Sequence, residues 1–169
     1  FTVDETDREI IVTADRPYKF LYYDYNGNFL REKTSEAFYT EITRTTDNIL
    51  AINSKVLEPK HYLSLLNEED HRITVAKKIP LAFTYRGEFR CRGSYLLKSE
   101  HLYFTQNGDY TIYSWDNNRI KPVVTVDFGK YSYNPTQLNE EPHAPATRNK
   151  VLSIINVKEI RSNLFFNTN

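Results

Sequence analysis

Apolar side chains recur along this chain in short alternating runs, each closed by Asn, Gly, Asp or Pro. That is the pattern of half-buried β-strands joined by turns. The clearest stretch is 102–129, LYFTQNGDYTIYSWDNNRIKPVVTVDFG, which predicts three strands with turns at Asn107-Gly108 and Asp116-Asn117-Asn118. A two-residue hairpin turn needs φ > 0 at both central positions, and Asn-Gly tolerates that best.

The same grammar runs through the rest of the chain. After an acidic lead-in (Asp4, Glu5, Asp7), strands are predicted over 8–13, 18–24 and 28–33, with a turn at Ala14-Asp15-Arg16-Pro17 and a tight turn at Asn26-Gly27. Further strands follow over 38–45, 49–53, 61–66, 72–77 and 95–98, with turns at Thr46-Asp47-Asn48, 67–70 and Ser99-Glu100. A third round begins near Phe89. Residues 131–149 hold three prolines and three asparagines among few apolar side chains, so they read as a long loop. Segment 151–161 has partial helical spacing through Val151, Ile154 and Ile155, but its β-branched content favours a strand. Asn163 then turns into Leu164-Phe165-Phe166.

Stacking these pieces exposes a repeat. ITRTTDNILAI, YLLKSEHLYFT and EIRSNLFFNT share one form, and KFLYYDYNGNFLRE, YLSLLNEEDHRITV and TIYSWDNNRIKPVVTV supply the matching second hairpins. With Ile11, Leu50, Tyr103 and Phe165 as equivalent points, the steps are 39, 53 and 62 residues. A unit of roughly 40–50 residues in four antiparallel strands is the spacing of a β-propeller blade, lengthened here by loops. The expectation is an all-β chain of antiparallel four-stranded blades, a β-propeller or part of one, with residues 1–169 as a single domain. By this count the chain holds a blade lacking its first strand, two full blades and the first half of a fourth, about three to three and a half blades. The terminal blades of a partial ring expose apolar faces, which predicts self-association.

Composition narrows the class without naming a reaction. The chain has 169 residues, 40% hydrophobic and 26% charged, which is ordinary for a globular domain with its own core. Thirteen Tyr and ten Phe suit strands better than helices. A net charge of zero gives no reason to expect capture of nucleic acid. No apolar run approaches the roughly 20 residues of a transmembrane helix. The sequence contains no Met, so Phe1 is not a translation start and the chain reads as part of a longer product. Cys91 is the sole cysteine, which excludes an intramolecular disulfide.

The phrase IYSWDNNRIKPVVTVDFGK, with Tyr113, Ile120, Pro122 and Asp127 to Lys130 at its marked positions, and the opening YTEITRTTDNILAI resemble the six-bladed β-propeller proteins of Bacteroides-type bacteria, of NHL or TolB-like type. The resemblance is specific over 110–130. It implies an exported protein, periplasmic or at the cell surface and often lipid-anchored, and it carries no catalytic residues with it. The chain is near half the length of six blades, so ring closure would need further blades or a second chain.

In a four-stranded blade the loops from strand two to strand three, and those between blades, emerge on one face. That face is predicted to carry Asp15, Arg16, Lys55, Glu58, Lys60, Arg86, Glu88, Gln106 and the 131–149 loop. The expected ligand contacts are Asp15, Arg16, Lys60, Arg86 and Glu88, together with Tyr131, Tyr133 and His143, since aromatic faces can stack on a sugar. The plain alternative is a set of solvated loop charges. Trp115-Asp116 leads directly into a turn and reads as inter-blade packing rather than a WD repeat. His61, His71, His101 and His143 show no metal-ligand spacing, so no metal and no cofactor is expected. Glu68, Glu69 and Asp70 read as a solvated turn cluster. Cys91, between Arg90 and Arg92, reads as an inward-facing apolar residue rather than a reactive thiol. No nucleophile elbow and no phosphate-binding loop is present. These features favour a non-enzymatic module that binds or scaffolds a glycan or protein through its loop face. The competing expectation is a carbohydrate-active hydrolase or lyase with acidic residues at a central channel.

Overall fold

A computed structural model describes residues 1–5, 7–45, 48–52, 62–80, 96–98, 101–105, 109–116, 119–132, 150–151 and 154–168. The chain divides into two compact units, Phe1–Ala82 and Phe83–Asn169. Among the described residues the only helical element is one 3₁₀ turn, Gly129–Tyr131.

The first unit holds β1 (Thr2–Asp4), β2 (Glu9–Asp15), β3 (Tyr18–Asp24), β4 (Phe29–Ser35), β5 (Glu41–Arg44), β6 (Ile49–Ile52), β7 (Tyr62–Glu68) and β8 (Arg72–Pro80). They form two antiparallel four-stranded meanders, β1-β2-β3-β4 and β5-β6-β7-β8. The outer strands β4 and β8 meet in a short parallel pairing, Thr34↔Arg72 and Ser35↔Ile73, and the inner strands β1 and β5 lie alongside one another. Two sheets touching at both edges enclose one core. Ile11, Phe20 and Tyr22 from the first sheet meet Ile42, Ile49, Ala51, Leu66 and Ile73 from the second, with Tyr39 packed edge-on to Phe20 at 6.1 Å. Each Ile, Leu or Phe buried this fully stabilises the fold by roughly 2 kcal/mol.

The second unit holds β9 (Leu96–Lys98), β10 (Leu102–Phe104), β11 (Thr111–Asp116) and β12 (Arg119–Thr125) in one antiparallel meander, and the hairpin β13 (Ile154–Ile160) and β14 (Asn163–Thr168). Tyr103 and Ile112 of the meander share a core with Ile154 and Val157 of the hairpin, flanked by Tyr110, Phe128, Leu164 and Phe166. The four equivalent points of the repeat, Ile11, Leu50, Tyr103 and Phe165, fall on β2, β6, β10 and β14, the second strand of each group.

Three local expectations need correction. The first group does not lack its inner strand: Thr2–Asp4 pairs with β2 at Thr2↔Ile11 and Asp4↔Glu9, and its polar residues hid it. The Asn26-Gly27 turn is not a two-residue hairpin. Asp24 N–H donates to Asn28 O and Gly27 N–H to Asp24 O, both at 3.0 Å, and of the pair only Gly27 has positive φ, at 83°. This is a longer loop closed by a glycine bulge, with Asp24 Oδ1 accepting from the N–H groups of Asn26 and Asn28. The segment predicted over 38–45 starts as a strand only at Glu41.

The ambiguity over 151–161 has a physical cause. A strand runs through Ile154–Ile160 as favoured, but Asn156 has φ 53° and the register shifts between Ile155 and Lys158. That bulge re-phases the alternation and buries Ile154, Ile155 and Val157 together, which mimics helical spacing. The predicted turn at Asn107-Gly108, the strand start near Phe89, and Cys91 lie outside the described residues.

Candidate functional site

Among the described residues, the charged side chains of the first unit's interior gather at one end. Cross-strand pairing puts Asp4 and Glu9 on the same face as Ile11, and Arg31 and Lys33 on the same face as Tyr22 and Phe20. On the opposing sheet Arg44 shares a face with Ile49, and Glu68 with Leu66. The two polar ends meet. Arg31 grips Glu9 with both terminal nitrogens, at 2.5 and 2.8 Å, while its guanidinium lies 4.1 Å from the centre of the Tyr22 ring. Arg44 donates from Nε to Asp4 Oδ2 at 2.7 Å and from Nη1 to Glu68 Oε2 at 2.5 Å. Lys33 Nζ lies 3.0 Å from Glu68 Oε1 and donates to the Glu69 carbonyl at 2.6 Å.

The chemistry of this cluster is that of a neutralised core. Burial pushes the Glu68 carboxyl up, but hydrogen bonds from Lys33 and Arg44 outweigh it and hold the group below its ordinary range. Burial likewise disfavours charge on Arg44, and the bonds to Asp4 and Glu68 more than restore it. The Tyr22 hydroxyl is buried beside the Glu68 carboxylate. Burial and the Glu68 charge raise its pKa, so it stays protonated. The reading of Glu68 as part of a solvated turn is therefore wrong. It is the last residue of β7 with its side chain 15% exposed, whereas Glu69 and Asp70 are exposed.

The residues selected from sequence lie elsewhere. Asp15 closes β2 and faces Tyr18 across the turn, whose Arg16-Pro17 bond is cis; Asp15, Arg16 and Tyr18 are exposed. This turn joins β2 to β3, whereas the charge cluster sits where β1 meets β2 and β3 meets β4, at the opposite end of the same strands. Tyr131 belongs to the second unit, half exposed, with Lys130 Nζ 5.1 Å from its ring centre. Lys60, Arg86, Glu88, Tyr133 and His143 lie outside the described residues, as do Lys55, Glu58, Gln106 and His61.

Tyr131 is set by a tightly bonded turn. Asp127 Oδ1 accepts from Gly129 N–H at 2.7 Å, Gly129 adopts φ 53°, and Phe128 packs edge-on against Tyr110 at 5.0 Å. Val151 N–H donates to the Tyr131 carbonyl at 2.8 Å, and the Tyr110 hydroxyl donates to the Val151 carbonyl at 2.5 Å. The Asp-Phe-Gly-Lys phrase is thus a structural device that turns the chain out of β12. Above it, Tyr113 donates to Asp109 Oδ2 at 2.6 Å, and burial with that bond pushes its phenol up to about 12. Trp115 is partly buried and pairs across strands with Leu102 and Ile120.

A second polar contact was not foreseen from sequence. Glu159 on β13 accepts at Oε2 from the Tyr103 hydroxyl at 3.0 Å, and His101 Nδ1 lies 2.9 Å from the same oxygen. The His101 bond, opposed by partial burial, keeps the Glu159 carboxyl below its ordinary range. Among the described residues no group of three His, Cys, Asp or Glu side chains is placed to hold a metal ion. No helix among them is long and apolar enough to cross a membrane.

Comparison with curated proteins and with solved structures gives no match. A family model does match, DUF5128, described as 6-bladed beta-propeller, over residues 1–169. Antiparallel four-stranded meanders in series, with strand-for-strand repetition, are the architecture such a family requires. The chain belongs to this six-bladed β-propeller family.

Proposed function

We propose that this chain is a non-enzymatic binding or scaffolding propeller module, of NHL or TolB-like type, that engages a glycan or protein through its loop face. One observation carries the reading. Asp4, Glu9 and Glu68, the carboxylates enclosed in the first unit, are each held by an arginine or lysine, and Glu159 in the second unit is held by His101 and Tyr103. The Glu68 carboxyl, held below its ordinary range by Lys33 and Arg44, stays ionised and is a poor proton donor to a leaving group, which is what a glycosidase asks of one carboxyl. The exposed side chains of Asp15, Arg16 and Tyr18 on one turn, and of Tyr131 on another, offer the mixed aromatic and charged contacts that sugars and peptides take.

The module is exported, to the periplasm or cell surface, and associates with itself. Phe165 is 55% exposed at the position where Ile11, Leu50 and Tyr103 are buried, and this supports association through the apolar face of the last hairpin.

The test is a calorimetric titration of the chain with polysaccharide fractions and a peptide library, alongside an assay for new reducing ends. The expected outcome is saturable binding that weakens at least fivefold in Arg16→Ala or Tyr131→Ala, with no bond cleavage. Turnover of any polysaccharide would replace this reading with that of a carbohydrate-active hydrolase or lyase.

A further inference from the structure

The repeat lets the two inter-sheet polar contacts be compared position by position. Ile11 and Tyr103 are equivalent, so Glu9 and His101, each two residues earlier, are equivalent as well. Leu50 and Phe165 are equivalent, and Arg44 pairs across its hairpin with Ile49 as Glu159 pairs with Leu164. Arg44 and Glu159 therefore occupy the same place in their groups. In the first unit this place carries a guanidinium held by carboxylates of the preceding sheet and of its own sheet. In the second unit the polarity is reversed: the carboxylate is on the later element, and an imidazole is on the earlier one.

We propose that His101 and Glu159, steadied by Tyr103, form a pH-dependent clasp between the β9–β12 sheet and the β13–β14 hairpin, where the first unit has a permanently charged one. An arginine holds its charge at any pH a cell reaches, whereas an imidazole titrates near about 6.5. When His101 is protonated the contact is an ion pair, and when it is neutral only a hydrogen bond remains. Among the described residues, the nearby charges are Lys98, Lys158 and Arg161. Alternation along β10 and β13 turns Lys98, which pairs with Leu102, and Lys158 away from the face that holds Tyr103 and Glu159. Arg161 lies in the turn after β13 and is exposed. The Tyr103 hydroxyl donates to the same carboxylate oxygen at 3.0 Å.

The sign follows from the two groups. The carboxylate must be ionised, so the clasp weakens as pH falls through the carboxyl range. The imidazole must be protonated, so it also weakens as pH rises through the imidazole range. The contact is strongest between the carboxyl and imidazole ranges. His101 is 63% exposed, so the effect is a modest one of about two- to threefold.

Amide hydrogen exchange on the intact chain tests this. Protection of the β13–β14 amides, corrected for intrinsic rates and referred to β11–β12, should fall about two- to threefold between pH 5.5 and pH 8. His101→Gln and Glu159→Gln should each give a flat profile, and His101→Lys, charged at both pH values, should keep protection at pH 8. A wild-type ratio that does not change with pH would overturn the proposal. So would a His101→Lys profile that falls as the wild type does, because another group would then be titrating.

Discussion

Arg44 Nε donates to Oδ2 of Asp4 at 2.7 Å, an ion pair between the ends of the two inner strands of the first unit, with Asp4 only 1% exposed. The same guanidinium reaches Glu68 on β7, so one side chain bonds a carboxylate on each sheet, and Lys33 supplies the second positive charge. Desolvation makes such a pair a poor source of net stability while both partners are present, and makes the loss of either one expensive.

Arg44→Ala should therefore destabilise the first unit by roughly 3 kcal/mol, because Asp4 and Glu68 would lose the guanidinium that they share. Arg44→Lys should recover only part of that loss, since one ammonium cannot serve Asp4 and Glu68 in the same fork geometry. Urea unfolding followed by circular dichroism gives both values. An Arg44→Ala chain as stable as the wild type would show that the cluster is solvated rather than closed.

The same cluster sets an acid limit. The folded-state pKa of Glu68 lies below its ordinary value of 4.5, so its contribution is present above that value and lost as pH falls through the lower, folded-state pKa. Stability should be level from pH 7 to about pH 5 and decline below. Glu68→Gln should flatten the decline while lowering stability at pH 7. Thermal melts of both chains across this range decide it. A Glu68→Gln melt with the full wild-type acid slope would assign the acid sensitivity elsewhere.

Gly27 tests the turn separately from the core. Its φ of 83° is unfavourable for a residue with a Cβ, yet a Cβ there would meet nothing within 4 Å. Gly27→Ala should therefore cost about 1 kcal/mol from backbone strain alone, and Gly27→Asn clearly less. Equilibrium denaturation of the two variants separates strain from crowding: equal losses would mean that the loop relaxes around either residue.

The strand order was legible because its determinants are local. Alternation and turn residues carried Ile11, Leu50, Tyr103 and Phe165 to second strands of successive groups, and 18–24 matched β3 in full. The charge cluster was not legible, because its signal is a contact between residues distant in sequence. Glu68 beside Glu69 and Asp70 looks like a solvated turn until β4 and β5 bring Lys33 and Arg44 over it. Glu9, Arg31 and Lys33 did fall on the inward phase of their strands, and charges in that phase were the one clue to a polar core. The loop-face residues Asp15 and Arg16 lie at the opposite end of the same sheet, where exposure rather than burial is the rule.

Asp127 offers the last test, because the phrase that suggested the family proves to be a turn. Its carboxylate accepts the Gly129 N–H and starts the 3₁₀ turn, after which Tyr131 and Val151 bond and Tyr110 closes over the Val151 carbonyl. Asp127→Ala removes the acceptor and should cost about 1 kcal/mol, while Asp127→Asn keeps an oxygen in place and should cost less than half of that. Trp115 is the chain's one tryptophan and sits on β11, so its fluorescence follows this unit directly during unfolding. A role in ligand binding predicts a different ranking. Asp127→Asn would then lose affinity as fully as Asp127→Ala while remaining stable, because a charge would be needed and not merely an acceptor.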